Sequence, residues 1–243
     1  PLKNKVHITI IDQRDGTNGF AISSMDMINI EATNLYFNNF NLRGRSDWLK
    51  NVLTHEFAHI VSLKRATLFG ERVSTFNFFP VINETPEDIL GRDPNINFYG
   101  SMVIPSKVNP YWWIEGTAQF ATEKAEFDKF DTHRDMFLRN ATLEDNLLNP
   151  YQMSVKGALK SPYGELAYCQ GFALNRYFAS RFGEQFSNKL IDNTAKTYPS
   201  WLNAMEKTFN ENVADIFGNW KKEIEEQYLK IAVEKVDFLV DPI

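Results

Sequence analysis

The sequence predicts an α+β fold, with a small N-terminal β-sheet packed on a helix that carries His55 to His59, followed by a mainly helical C-terminal part. Three observations predict it. Apolar residues alternate from Val6 to Ile11 with two further short strand-like runs before position 32, recur at helical spacing from about Ser46, and lie between helix starts and stops from Asn109 to Val233. A chain of 243 residues can bury one sizeable core. It divides as 1–45 mainly strands, 46–130 two helices joined by a long 66–109 insertion, and 131–243 helical, all read as one domain spanning 1–243.

Val6, Ile8 and Ile10 alternate with His7, Thr9 and Ile11, as expected of a strand covered on one or both faces. Asp12 to Gly19 is rich in turn formers, and Phe20–Ile22 and Met27–Glu31 read as two further short strands. Ser46 or Asp47 caps a helix on which Trp48, Val52, Ile60 and Leu63 recur near helical spacing, running to about Ala66 or Gly70. The connection to Asn109 contains Pro80, Pro86, Pro94 and Pro105, with strands expected around Val73–Phe79 and Phe98–Ile104. Asn109-Pro110 reads as an N-cap followed by proline at the first helical position, starting a helix to about Phe127. Thr142 to Asp145 resembles a capping box with Asp in place of Glu. Helices are expected over Glu165–Phe182 with a stop at Gly183, and over about Gln185–Thr197, Pro199–Phe209 and Val213–Val233.

A net charge of −5 and the absence of a basic run argue against a nucleic-acid surface. No stretch approaches the roughly 20 apolar residues of a membrane-spanning helix. The single cysteine, Cys169, can form no internal disulfide and excludes an all-cysteine zinc site. It reads as a small buried apolar residue, because no histidine is placed to activate it. The chain begins at Pro1, so a preceding leader or domain is compatible with it.

His55-Glu56-Phe57-Ala58-His59 is the H-E-x-x-H pattern. Positions i and i+4 share one helix face, so both imidazoles can reach a single zinc ion at about 2.0–2.1 Å. Glu56 projects beside them, where it can take a proton from a metal-bound water. Apolar flanks at Val52, Leu53, Ile60 and Val61 fit a buried zinc helix.

A third ligand is needed. A histidine six positions after His59 is excluded by Arg65, and a glutamate about twenty residues on is excluded by Asn77, Phe78, Phe79 and Pro80. Glu115 sits among apolar residues one turn into the next helix, with Gly116 and Ala118 allowing close approach. A carboxylate in such a place needs a partner, and a zinc ion is a natural one. Glu123, Glu84 and Glu87 are weaker rivals.

The string Trp112-x-x-Glu115-Gly116-x-Ala118-x-Phe120 after His-Glu-x-x-His resembles the gluzincins, the thermolysin-like or peptidase MA-like clan of zinc metallopeptidases. Its motifs are most similar to the aminopeptidase N and leukotriene hydrolase branch, in which that glutamate is the third ligand. Tyr168-Cys169-Gln170-Gly171 resembles the Tyr-Glu-Lys-Gly helix of the same branch, which implies that the Tyr168 hydroxyl stabilises an oxyanion. Tyr163 has a counterpart in some relatives, implying a contact to substrate. Ala214 to Lys221 resembles the terminal helix of bacterial peptidase MA-like domains. The resemblance further implies a thermolysin-like catalytic domain, one zinc ion, a peptide or protein substrate, a bacterial cell-envelope setting, and an additional domain such as a β-propeller.

The expected activity is peptide-bond hydrolysis, with Glu56 activating the water and the zinc and Tyr168 sharing the oxyanion. The Gly-x-Met-Glu-Asn strand that holds a free α-amine in aminopeptidases has no counterpart; the comparable region reads Asp15 to Gly19, and Glu31 either serves in its place or faces solvent. An endopeptidase, or a peptidase of other specificity, is therefore favoured over an aminopeptidase. Phe76, Phe78, Phe79 and Tyr99 either contact apolar substrate side chains or fill a local mini-core. Two other classes share these residues: a zinc hydrolase of a non-peptide substrate, and a catalytically silent binding module on a peptidase fold.

Overall fold

The computed structural model describes residues 5–11, 17–32, 48–66, 76–78, 100–102, 109–154, 163–197 and 200–239. Three strands form the N-terminal sheet: β1 (His7–Ile11), β2 (Thr17–Ile22) and β3 (Met27–Ala32), in the order β1-β3-β2. β3 is central, parallel to β1 and antiparallel to β2. Thr17, Asn18 and Gly19 pair with Ala32, Glu31 and Ile30, so the expected turn gives way to strand at Thr17. The ladder supplies those three residues with hydrogen bonds that their turn propensity could not. A short 3₁₀ turn (Ser23–Met25) and Asp26, at φ +51°, connect β2 to β3.

The helix α1 (Trp48–Arg65) lies on this sheet. Ile28 and Ile30 of β3 and Ile60 of α1 form a small core, with Val6, Ala21, Trp48, Val52 and Leu53 packed around it. Lys64 near the end of α1 is ion-paired with Asp26, which ties the helix to the turn entering β3. Two further short strands, β4 (Phe76–Phe78) and β5 (Gly100–Met102), pair antiparallel inside the expected insertion. The caps Ser46 and Asp47, the turn at 12–16, the four prolines of the insertion, and Phe79, Glu84, Glu87 and Tyr99 lie outside the described residues. Only the backbone of Phe76 and Phe78 is described.

The rest is helical: α2 (Tyr111–Lys124), α3 (Thr132–Leu143), α4 (Pro150–Ser154), α5 (Tyr163–Phe182), α6 (Phe186–Lys196), α7 (Trp201–Phe209) and α8 (Val213–Leu239). Pro110, not Asn109, occupies the N-cap position of α2, with ψ 145° and no side-chain cap. Its carbonyl accepts from Trp113 and Ile114, a job that needs no side chain. The expected capping box at Thr142 is the end of a helix, not a start. The Thr142 hydroxyl donates to the Leu138 carbonyl, and Asp145 turns the chain out at φ +51°. The start signal for α3 is Asp131, whose side chain accepts from the Arg134 amide. Gly183, at φ +83°, ends α5 in the left-handed region that glycine tolerates best.

One large core unites α2 with the C-terminal helices. Trp112 stacks edge-to-face on Trp201 and Phe217, and Trp113 and Phe120 pack against Phe186. No helix among the described residues is long and apolar enough to cross a membrane. The architecture is α+β, with the sheet and the helical body packing on neighbouring faces of α1.

Candidate metal centre

The stripes of α1 divide its duties. Val52, Glu56 and Ile60 follow one another at steps of four on the side toward the sheet, while His55 and His59 form the neighbouring stripe toward α2. The Asn51 side chain donates to the Phe127 carbonyl beyond the end of α2, so the two helices run antiparallel and Glu115 falls level with the histidines.

Three donor atoms converge there. His55 Nε2 and His59 Nε2 lie 3.2 and 3.4 Å from Glu115 Oε2. The two ring nitrogens are 3.1 Å apart, with the rings nearly perpendicular. His59 and Glu115 are buried and His55 is half-buried. Among the described residues these three are the one group of three or more His, Cys, Asp or Glu that could hold a metal ion.

The spacing fits a cation. An ion with tetrahedral bonds of about 2.0–2.1 Å sets its ligand atoms about 3.3–3.4 Å apart. Hydrogen bonding alone satisfies this triangle poorly. If both Nε2 atoms carry protons toward Glu115, two N–H groups face each other; if one lacks its proton, its lone pair faces the carboxylate. A positive charge at the centre suits all three edges. Burial pushes the Glu115 carboxyl up, but the hydrogen bonds and charges of His55 and His59 outweigh it and hold the group well below the usual carboxylate range.

Glu56 is buried on the sheet side. Burial raises its pKa, opposed by the two imidazoles and a backbone hydrogen bond from Ala21 of β2. Gly19 of β2 makes room for it: a methyl group there would meet Val52 and the Glu56 side chain. Among the described residues β2 pairs on one side only, so its other edge runs past Glu56.

On the α5 side, the Tyr168 hydroxyl accepts a hydrogen bond from Tyr111 at 2.6 Å. It also interacts with Glu115, through charge and a hydrogen bond. Burial, then the Glu115 charge, drives both phenols up: Tyr111 to about 12 and Tyr168 further still, so both are neutral donors at ordinary pH. Tyr111 is not among the residues the sequence singled out. Its signal was its place one turn before Glu115, on the same face of α2.

The other candidates fall elsewhere. Glu123 receives the Phe130 amide and faces Arg176, away from the cluster. Glu31 is half-buried on the central strand. The Tyr163 side chain lies outside the described residues. Cys169 is fully buried, with Glu165 as a neighbour.

Comparison with protein families, with curated proteins and with solved structures finds no match to this chain. The fold and the site therefore define it from its own residues: an α+β protein with a His-His-Glu cluster that could hold a metal ion.

Proposed function

We propose that this chain is a zinc-dependent hydrolase of peptide bonds, of the gluzincin type. The observation that carries the reading is the convergence of His55 Nε2, His59 Nε2 and Glu115 Oε2 between two antiparallel helices, with an acid on one side and a phenol on the other. Two imidazoles and one carboxylate are a donor set suited to zinc with a coordination position left open. When bound, zinc supplies Lewis acidity, bringing the pKa of a water to about 7 and polarising a carbonyl.

The chain's own residues supply the rest. Glu56, held by the Ala21 backbone, takes the water's proton and passes a proton to the departing amine. Tyr168, neutral and half-buried, donates to the oxygen that gains negative charge. Among the described residues no strand pairs with the β2 edge beside Glu56, and the main-chain groups there that Glu56 does not use suit an extended peptide, which supports cleavage within a chain over removal of a terminal residue.

The test is hydrolysis of denatured casein and of end-blocked, internally quenched peptides by zinc-loaded protein, with and without a chelator. Glu56→Gln is expected to keep zinc and lose nearly all turnover. Full turnover by that variant would remove Glu56 as the base, and inert wild-type protein with stoichiometric zinc would remove the peptidase reading.

A further inference from the structure

Tyr111 has no part in the reading above, yet its hydroxyl sits 2.6 Å from that of Tyr168. The rings meet edge-to-face with centroids 5.5 Å apart, so the contact is held by ring packing as well as by the hydroxyls. Tyr111 stands one turn before Glu115 on α2, while Tyr168 comes from α5. The same rigid helix therefore fixes both the carboxylate and the group that touches the phenol.

A phenol has one proton to give and lone pairs to accept with. With Tyr111 donating into the Tyr168 oxygen, the single Tyr168 proton is left for Glu115, with which Tyr168 is also hydrogen-bonded. A hydroxyl that accepts one hydrogen bond is also a stronger donor in the next. We infer that Tyr111 is a positioning residue that holds the Tyr168 hydroxyl with its proton facing the metal cluster. The inference rests on the hydrolase reading for its catalytic consequence, but the positioning itself is a property of the metal-free protein.

Two readouts test it. The first is kinetic, on zinc-loaded protein with the best end-blocked quenched peptide. Tyr111→Phe keeps the ring and is expected to lower kcat by about threefold to tenfold, with KM within about twofold and zinc content unchanged. Tyr168→Phe is expected to cost about 100-fold, and the double variant no more than Tyr168→Phe alone, because Tyr111 acts through Tyr168. A wild-type kcat in Tyr111→Phe, or losses that multiply in the double variant, would overturn the inference. The second readout is the crystal structure of metal-free Tyr111→Phe beside metal-free wild type. The Tyr168 ring is expected to shift or split between conformers; a ring unmoved and equally ordered overturns the inference. Should zinc-loaded wild type cleave no peptide, the hydrolase reading fails by itself, and the second readout still decides whether Tyr111 positions Tyr168.

Discussion

Gly116 of α2 and Gly171 of α5 lie face to face, and neither has room for a methyl group. A Cβ on Gly116 would come within 3.0 Å of the Gly171 backbone, and one on Gly171 as close to the Trp112 carbonyl. Asn175, fully buried, donates to the Gly171 carbonyl and accepts from Thr117 across the same crossing. The two helices carry Glu115 and Tyr168 on adjacent residues or one turn away, so this approach sets how near the phenol comes to the carboxylate.

Gly116→Ala is therefore expected to destabilise the fold by about 1–3 kcal/mol, as overpacking of a closed contact does. Calorimetry would show a Tm lowered by several degrees. An unchanged Tm would mean that the helices can part without cost.

Glu115→Ala should leave the fold in place and weaken zinc binding by more than the roughly 10–100-fold typical of changes outside a ligand set. Elemental analysis after dialysis against a weak chelator measures it. Retention of one tightly held zinc would show that another residue completes the site.

Burial holds the Glu56 carboxyl above its usual pKa, which is a stability statement with a definite sign. Below about pH 4.3 the group is protonated in both folded and unfolded chains and costs nothing. As pH rises through the folded pKa, the ionised form is disfavoured only in the fold, and stability is lost. Metal-free Glu56→Gln is thus expected to melt a few degrees higher than wild type at pH 7 and at the same temperature near pH 4. Equal melting at both values would contradict the burial of a charge there.

Much of this was legible in the sequence, and the reasons differ by element. β1, β3, α1, α5 and α7 announced themselves because alternation or helical spacing runs through them, with Gly183 ending α5 and Ser200 starting α7; in β1, however, Ile8 and Ile10 are exposed, so its alternation marks a strand but not the covered face expected of it. The start of α3 was harder. Much of its sequence is polar, and beside the core residues Leu138 and Ala141 it buries an ion pair the sequence cannot display: Arg134 gives two hydrogen bonds to Asp128, at 2.8 and 2.7 Å, with both side chains buried. The candidate metal residues could be named because H-E-x-x-H fixes its own geometry and Glu115 lay in an apolar setting that demanded a partner. Tyr111 was legible only in part: its place one turn before Glu115 puts it on the same face, but nothing in the sequence shows that its hydroxyl will meet that of Tyr168.

That buried pair makes its own prediction. Asp128→Ala strands the Arg134 guanidinium and is expected to cost about 3–5 kcal/mol, whereas replacing both residues by apolar ones of similar size should recover most of it. Urea unfolding of the single and double variants measures the difference. Equal losses in the two would show that the pair is not coupled.

The most direct test of the central idea is anomalous diffraction from a crystal soaked in stoichiometric zinc. The expected result is one peak bonded to His55 Nε2, His59 Nε2 and a Glu115 oxygen at about 2.0–2.1 Å, with the Tyr168 hydroxyl nearby. A peak elsewhere, or a Glu115 carboxylate turned away from both imidazoles with no other acid in its place, would contradict it.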